Sequence, residues 1–124
     1  MIKEIVNELM ESLGLAYQYW EYEDLGDGIP DCYFVGERMP DPVYDESGSE
    51  GGTFVVSGWS SSGASPLDAA EESIKRALEG PGGDVRRSGD GWACAVWYVQ
   101  ALDVPSDVDG RCRVEYTLGY REWS

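Results

Sequence analysis

From Cys112 to Arg121 the chain alternates in character. Cys112, Val114, Tyr116, Leu118 and Tyr120 share one parity, and Arg113, Glu115, Thr117 and Arg121 the other. Successive side chains of a strand point to opposite faces, so this period of two demands a sheet with one apolar face that something must cover. Two segments carry the period that a cover needs. Ile2, Ile5, Val6, Leu9, Met10 and Leu13 recur at i, i+3, i+4, i+7 spacing, with Glu4, Glu8 and Glu11 opposite, and Gly14 is suited to end that helix. The second helix opens at Ser65-Pro66-Leu67-Asp68, where Ser65 is expected to cap, Pro66 to take the first turn and Asp68 the capping-box position. Its buried side is expected to be Leu67, Ala70, Ile74, Ala77 and Leu78, and Gly80-Pro81-Gly82-Gly83 ends it.

The remaining apolar runs read as strands. Leu15 to Glu37 is expected to form two strands joined by a turn, because aromatic and β-branched residues flank an Asp/Gly/Pro cluster at Asp24–Asp31. Arg38 to Gly52 carries Pro40 and Pro42 and reads as a long acidic loop, since proline is kept out of central strands. Thr53–Trp59 is the third strand, Ser60–Ala64 a small-residue linker, and Val85–Ser88 a short strand. Trp92 to Leu102 is apolar on both parities, which fits either a central strand or one covered by a neighbouring subunit. The order is αβββαβββ in a single domain, residues 1–124: an α+β fold with a mostly antiparallel sheet and two helices.

Charge narrows the function classes. The 124 residues hold 24 acids, 9 bases and no histidine. Residues 1–50 account for a net −11 and residues 51–124 for −4. A surface that grips phosphates needs a basic stripe, and anionic membranes disfavour such a chain for the same reason. No run is long enough to span a membrane and the first residues lack a signal-peptide layout, so an intracellular site of synthesis is expected. Cys32, Cys94 and Cys112 show no close pairing and read as reduced, buried thiols. Without histidine, the usual triads and zinc sites are excluded, and Gly80–Asp84 lacks the lysine of a phosphate loop. Asp41, Asp45, Glu46 and Glu50, or Asp103, Asp107 and Asp109, do not follow calcium-loop spacing. No enzyme activity, cofactor or metal is expected. Five tryptophans and eight tyrosines exceed what a thin sandwich readily hides, which is the enrichment that subunit interfaces show.

Taken together, the amphipathic helix ending Leu13-Gly14, Tyr19-Trp20-Glu21-Tyr22-Glu23, Tyr33-Phe34-Val35-Gly36-Glu37, the acidic loop, Thr53–Trp59, the second helix and the final strand ending Tyr120-Arg121-Glu122-Trp123 resemble one family. It is the tail-completion or tail-terminator (neck) proteins of long-tailed bacteriophages with flexible tails. The resemblance implies a virion protein of tail and neck, assembled in the host cytoplasm, whose copies form a ring, typically a hexamer. That ring caps the tail tube protein and meets a head-closure or connector protein, while double-stranded DNA passes through without specific binding. A head-closure subunit would share the same partners. On this reading Tyr19, Trp20 and Tyr22 with Trp97 and Val99 carry subunit contacts, and Asp41, Asp45, Glu46 and Glu50 reach the tube or neck. An acidic bore would let DNA slide. The rival class is an acidic DNA mimic that inhibits a host defence nuclease.

Overall fold

The computed structural model describes residues 1–44 and 50–123. Among them the chain forms α1 (Ile2–Ser12), β1 (Tyr17–Tyr19), β2 (Cys32–Tyr44), β3 (Glu50–Ser60), α2 (Ser65–Ala77), β4 (Asp84–Arg87), β5 (Ala93–Val104) and β6 (Cys112–Trp123). The expected αβββαβββ order and mostly antiparallel sheet are present, with the strands arranged β1-β2-β3-β6-β5-β4. Both helices lie on one face. Ile2, Ile5, Val6, Leu9 and Met10 of α1 and Leu67, Ala70 and Ile74 of α2 are buried against Phe34, Phe54, Val56, Cys94, Val96, Val114, Tyr116, Leu118 and Tyr120. Burying a side chain of this size contributes roughly 1.5–3 kcal/mol, so this layer dominates the stability.

α1 begins without a side-chain cap of its own. Glu122 on β6 supplies one, its Oε1 accepting the Ile2 N–H at 3.0 Å. A carboxylate there also meets the positive end of the helix dipole. The sequence-based cap of α2 is corrected in the same way. Ala64 takes the capping position with no side-chain bond, Ser65 lies inside the helix and is exposed, and the Asp68 N–H turns back to the Ala64 carbonyl at 2.9 Å. Ala77 is exposed, so the buried stripe ends on Leu78. Cys112 is exposed and Cys32 half-buried, which leaves Cys94 as the fully buried thiol.

Two larger corrections concern the first half of the sheet. β1 and β2 are not a hairpin: they run parallel, Tyr17 opposite Phe34 and Tyr19 opposite Gly36. Parallel neighbours need a connection of about a dozen residues, and residues 20–31 provide it. The Asp/Gly/Pro chemistry read there is used inside that crossover, where Asp24 Oδ1 accepts the Gly26 and Gly28 N–H groups at 2.8 and 2.9 Å. The segment read as a long loop is mostly sheet. β2 continues through Pro40 and Pro42 to Tyr44, and β3 returns from Glu50, with the register shifting between Pro40 and Tyr44. β1 covers β2 only as far as Gly36. Beyond it β2 is an edge strand, where proline's missing N–H removes no ladder bond.

Close approaches fix the packing of tyrosines. A Cβ on Gly36 would collide with the Tyr17 phenol, so glycine is what allows that ring to lie over β2. Tyr116 Oη donates to the Leu67 carbonyl at 2.7 Å and ties α2 to β6. Tyr17 Oη, equally shut off from water, has no partner among the described residues. Tyr17→Phe is therefore expected to leave thermal stability unchanged or raise it, whereas Tyr116→Phe costs about 1 kcal/mol in chemical denaturation.

Burial pushes the phenols of Tyr17, Tyr116 and Tyr120 above their ordinary value of 10. Tyr98 is pushed up to about 12, first by burial and then by the bond it donates to Glu71 Oε1 at 3.0 Å. A raised phenol stabilises the fold fully below pH 10, and that contribution is lost as pH climbs towards the folded value. Melting temperature should stay level up to about pH 10 and then fall as pH approaches 12. Tyrosine ionisation followed by ultraviolet absorbance should show these groups titrating together with unfolding.

Candidate interaction surface

The second face of the sheet carries the opposite parity of every strand and has two differently built halves. Around β2, β3 and the start of β6, the rings close over themselves. Tyr33 stacks on Trp59 with centroids 5.1 Å apart and planes 15° from parallel, and Tyr22 packs on Tyr33 at 5.1 Å. Arg111 lies 5.0 Å above the Tyr33 ring and Arg113 4.9 Å above Trp59. Guanidinium groups held over aromatic faces add cation–π attraction to burial. Each cation is also held at its edge: Arg111 Nη1 donates to the Pro30 and Asp31 carbonyls, both at 2.8 Å, and Arg113 Nη2 to Glu115 at 3.2 Å. Trp59 Nε1 donates to Asp107 Oδ1 at 3.0 Å, and that bond holds the Asp107 carboxyl below its usual range. This half is closed over itself, and Arg113 Nε is left buried without a hydrogen-bond partner among the described residues.

The other half is open. Registers place Val85, Ala95 and Arg121 in one cross-strand row and Arg87, Ala93 and Trp123 in the next, with Trp97 opposite Gly119. These side chains line a groove of about 560 Å³. The groove is apolar in its floor and, among the described residues, bears two arginines and no acid in its lining. Trp97 lies over the Gly119 backbone: a Cβ at 119 would fall 2.5–2.7 Å from indole carbons, so only glycine admits the ring there. Trp97 nevertheless stays 38 % exposed, and Val99, unpaired at a register shift between Tyr98 and Gln100, is 51 % exposed. β4 pairs with β5 only from Ala93 to Val96, so the outer side of β5 is an edge from there on.

The expected interface residues do not form one cluster. Trp97 and Val99 lie on the β5 side of the sheet, and Tyr19, Trp20 and Tyr22 at the β1 side. Of these three, Tyr19 faces the core, 6.1 Å from Phe54 and under the Lys3 ammonium at 4.8 Å, and Tyr22 is half-buried against Tyr33. Trp20 is 66 % exposed and adopts φ +77°, a left-handed conformation rare for a bulky residue. Glu50 opens β3 opposite Glu122, Asp41 lies on β2, and Asp45 and Glu46 lie outside the described residues. Sequence reasoning missed the groove walls Val85, Arg87, Ala95, Arg121 and Trp123. The signal was present: Arg121 and Trp123 continue the polar parity of β6, and Ala93, Ala95 and Trp97 share a parity on β5. Among the described residues, no group of three or more acidic or cysteine side chains is gathered to hold a metal ion.

Such a surface offers shape, apolar area and two cations, which suits docking of a macromolecule. Gly119→Val is expected to lift Trp97 out of its seat and cost about 1–3 kcal/mol, as overpacking of a close contact does. Equilibrium denaturation measures the loss, and tryptophan emission should move to longer wavelength. No protein-family model matches the chain, and no curated protein matches it in sequence.

Proposed function

We propose that the protein is a structural subunit of a bacteriophage tail, a tail-terminator or tail-completion protein. Its copies form a ring, hexameric in the family that the sequence resembles, that caps the tail tube and joins it to the neck. One observation carries the reading: a chain of net charge −15 leaves large indoles uncovered at opposite sides of a single sheet, Trp20 by β1 and Trp97 on β5. Exposed aromatic anchors on two unlike surfaces suit repeated association of identical copies. The acids suit a passage for DNA, because carboxylates repel phosphates where a binding protein would release counterions to grip them. The crossover 20–31 exposes Glu21, Glu23, Asp24, Asp27 and Asp31 together, the densest acidic stretch on the described surface.

Static light scattering and negative-stain imaging, with and without purified tail tubes, test this. The expected result is a closed multi-copy particle, or density added to tube ends, together with negligible affinity for duplex DNA. A strict monomer that never joins a tube overturns the proposal. If that monomer instead binds a basic nuclease tightly, the DNA-mimic reading replaces it.

A further inference from the structure

We propose that Trp20, with Glu21 and Glu23 beside it, seats in the β4–β5–β6 groove of a second copy of the chain. The indole meets Trp97 and Trp123, and the carboxylates meet Arg87 and Arg121. This rests on the multi-copy reading above and goes beyond it by naming both halves of the contact.

Placement is the first argument. β1 and β4 are the two edges of the six-stranded sheet, five strand spacings or roughly 24 Å apart along it. The projecting indole and the groove belong to opposite flanks, so the pairing is between copies. Two different patches meeting in this way make a head-to-tail contact, which repeats around a ring when its rotation closes.

Charge complementarity is the second. Residues 20–31 contain five acids and no base, whereas among the described residues the groove lining contains two arginines and no acid. Copies of net charge −15 repel at long range, but salt at physiological strength confines that repulsion to about 8 Å. Matching rim charges then set orientation at contact.

Shape is the third. The loop is held ready rather than ordered on docking. The Trp20 N–H donates to the Gly36 carbonyl at 2.8 Å, and the Gln18 amide exchanges two bonds with the Glu23 main chain at 2.9 and 3.0 Å. Arg111 holds the far end through the Pro30 and Asp31 carbonyls. These ties keep a bulky residue at φ +77° and point its ring into solvent. A preorganised aromatic anchor keeps the entropy loss of association small.

Two charge-reversed proteins test the contact: Glu21→Lys/Glu23→Lys in the loop and Arg87→Glu/Arg121→Glu in the groove, each checked for folding by circular dichroism. Alone, each is expected to assemble at least about thirtyfold more weakly than wild type in sedimentation velocity. Mixed in equal amounts, they should assemble again, because the basic loop of one fits the acidic groove of the other. The acidic loop of the second fits the unchanged arginine groove of the first, and like charges face each other only between copies of the same variant. Trp20→Gly provides a readout that a structural role would not give. Glycine relieves the left-handed backbone, so melting temperature should hold or rise while association falls by a similar factor. If wild type assembles and all three variants assemble equally well, or the mixture stays as weak as its components, the docking is overturned and the ring reading stands. If wild type neither self-associates nor adds to tail tubes, both fall together.

Discussion

Two short helices must cover a six-stranded sheet, and they have apolar surface for one face only. The stripe of α1 and the narrower stripe of α2 are spent on the face formed by Phe34, Phe54, Val56, Val96, Tyr116 and Leu118. Everything distinctive on the second face follows from that limit. Where β2, β3 and β6 meet, rings and guanidinium groups form their own lid: Tyr22 on Tyr33, Tyr33 on Trp59, and Arg111 and Arg113 above them. Where β4, β5 and β6 meet, small residues at Ala93, Ala95 and Gly119 leave space, and the large ring of Trp97 covers only part of it. The groove is therefore a consequence of residue size along three adjacent strands.

The edges of the sheet are managed by two different devices. β2 extends past the short β1, and the unpaired stretch carries Pro40 and Pro42, which cannot donate to an added strand. β5 extends past the short β4, and there Val99 sits at a register shift that bends the strand. Both devices discourage indiscriminate strand pairing along the edges. The surfaces left open for the proposed association are side chains on the faces and in the crossover, where chemistry can discriminate between partners.

Periodicity made the helices, β3, β6 and the chain order legible, because a half-buried element writes its environment into every second or every third and fourth residue. The β1–β2 pairing was not legible for a related reason: β1 is three residues long, and parity says nothing about whether a neighbour runs parallel or antiparallel. Proline in β2 misled because its meaning depends on whether a strand has one neighbour or two, which is a property of the whole sheet. Caps failed locally too, since Glu122 at the start of α1 is 120 residues away in sequence. For the surface, Trp20 and Trp97 were legible as aromatic excess, but their separation was not. The groove was hidden for a simpler reason: alanine and glycine carry little signal, and a cavity is recorded by what is small.

Exposed tryptophan on a soluble surface is ordinarily an aggregation hazard, and the distribution of charge explains how this chain carries it. Trp20 is followed directly by acids, and Leu25, 80 % exposed, sits between Asp24 and Asp27. Apolar contact between two such loops would bring like charges together in a low-dielectric seam, where repulsion strengthens as water leaves. Against a partner surface that presents arginine, attraction offsets the desolvation of the same acids instead of adding repulsion to it. Arg87 and Arg121 flank the apolar floor on the far side of the sheet, so the patch proposed to receive the loop differs from the loop itself. In the proposed docking, repulsion between like patches and attraction between unlike ones disfavours a symmetric dimer and favours a directional, head-to-tail contact that buries the indoles. In the proposed docking the acidic excess thus acts on the orientation of the contact through the same few residues that flank the indole.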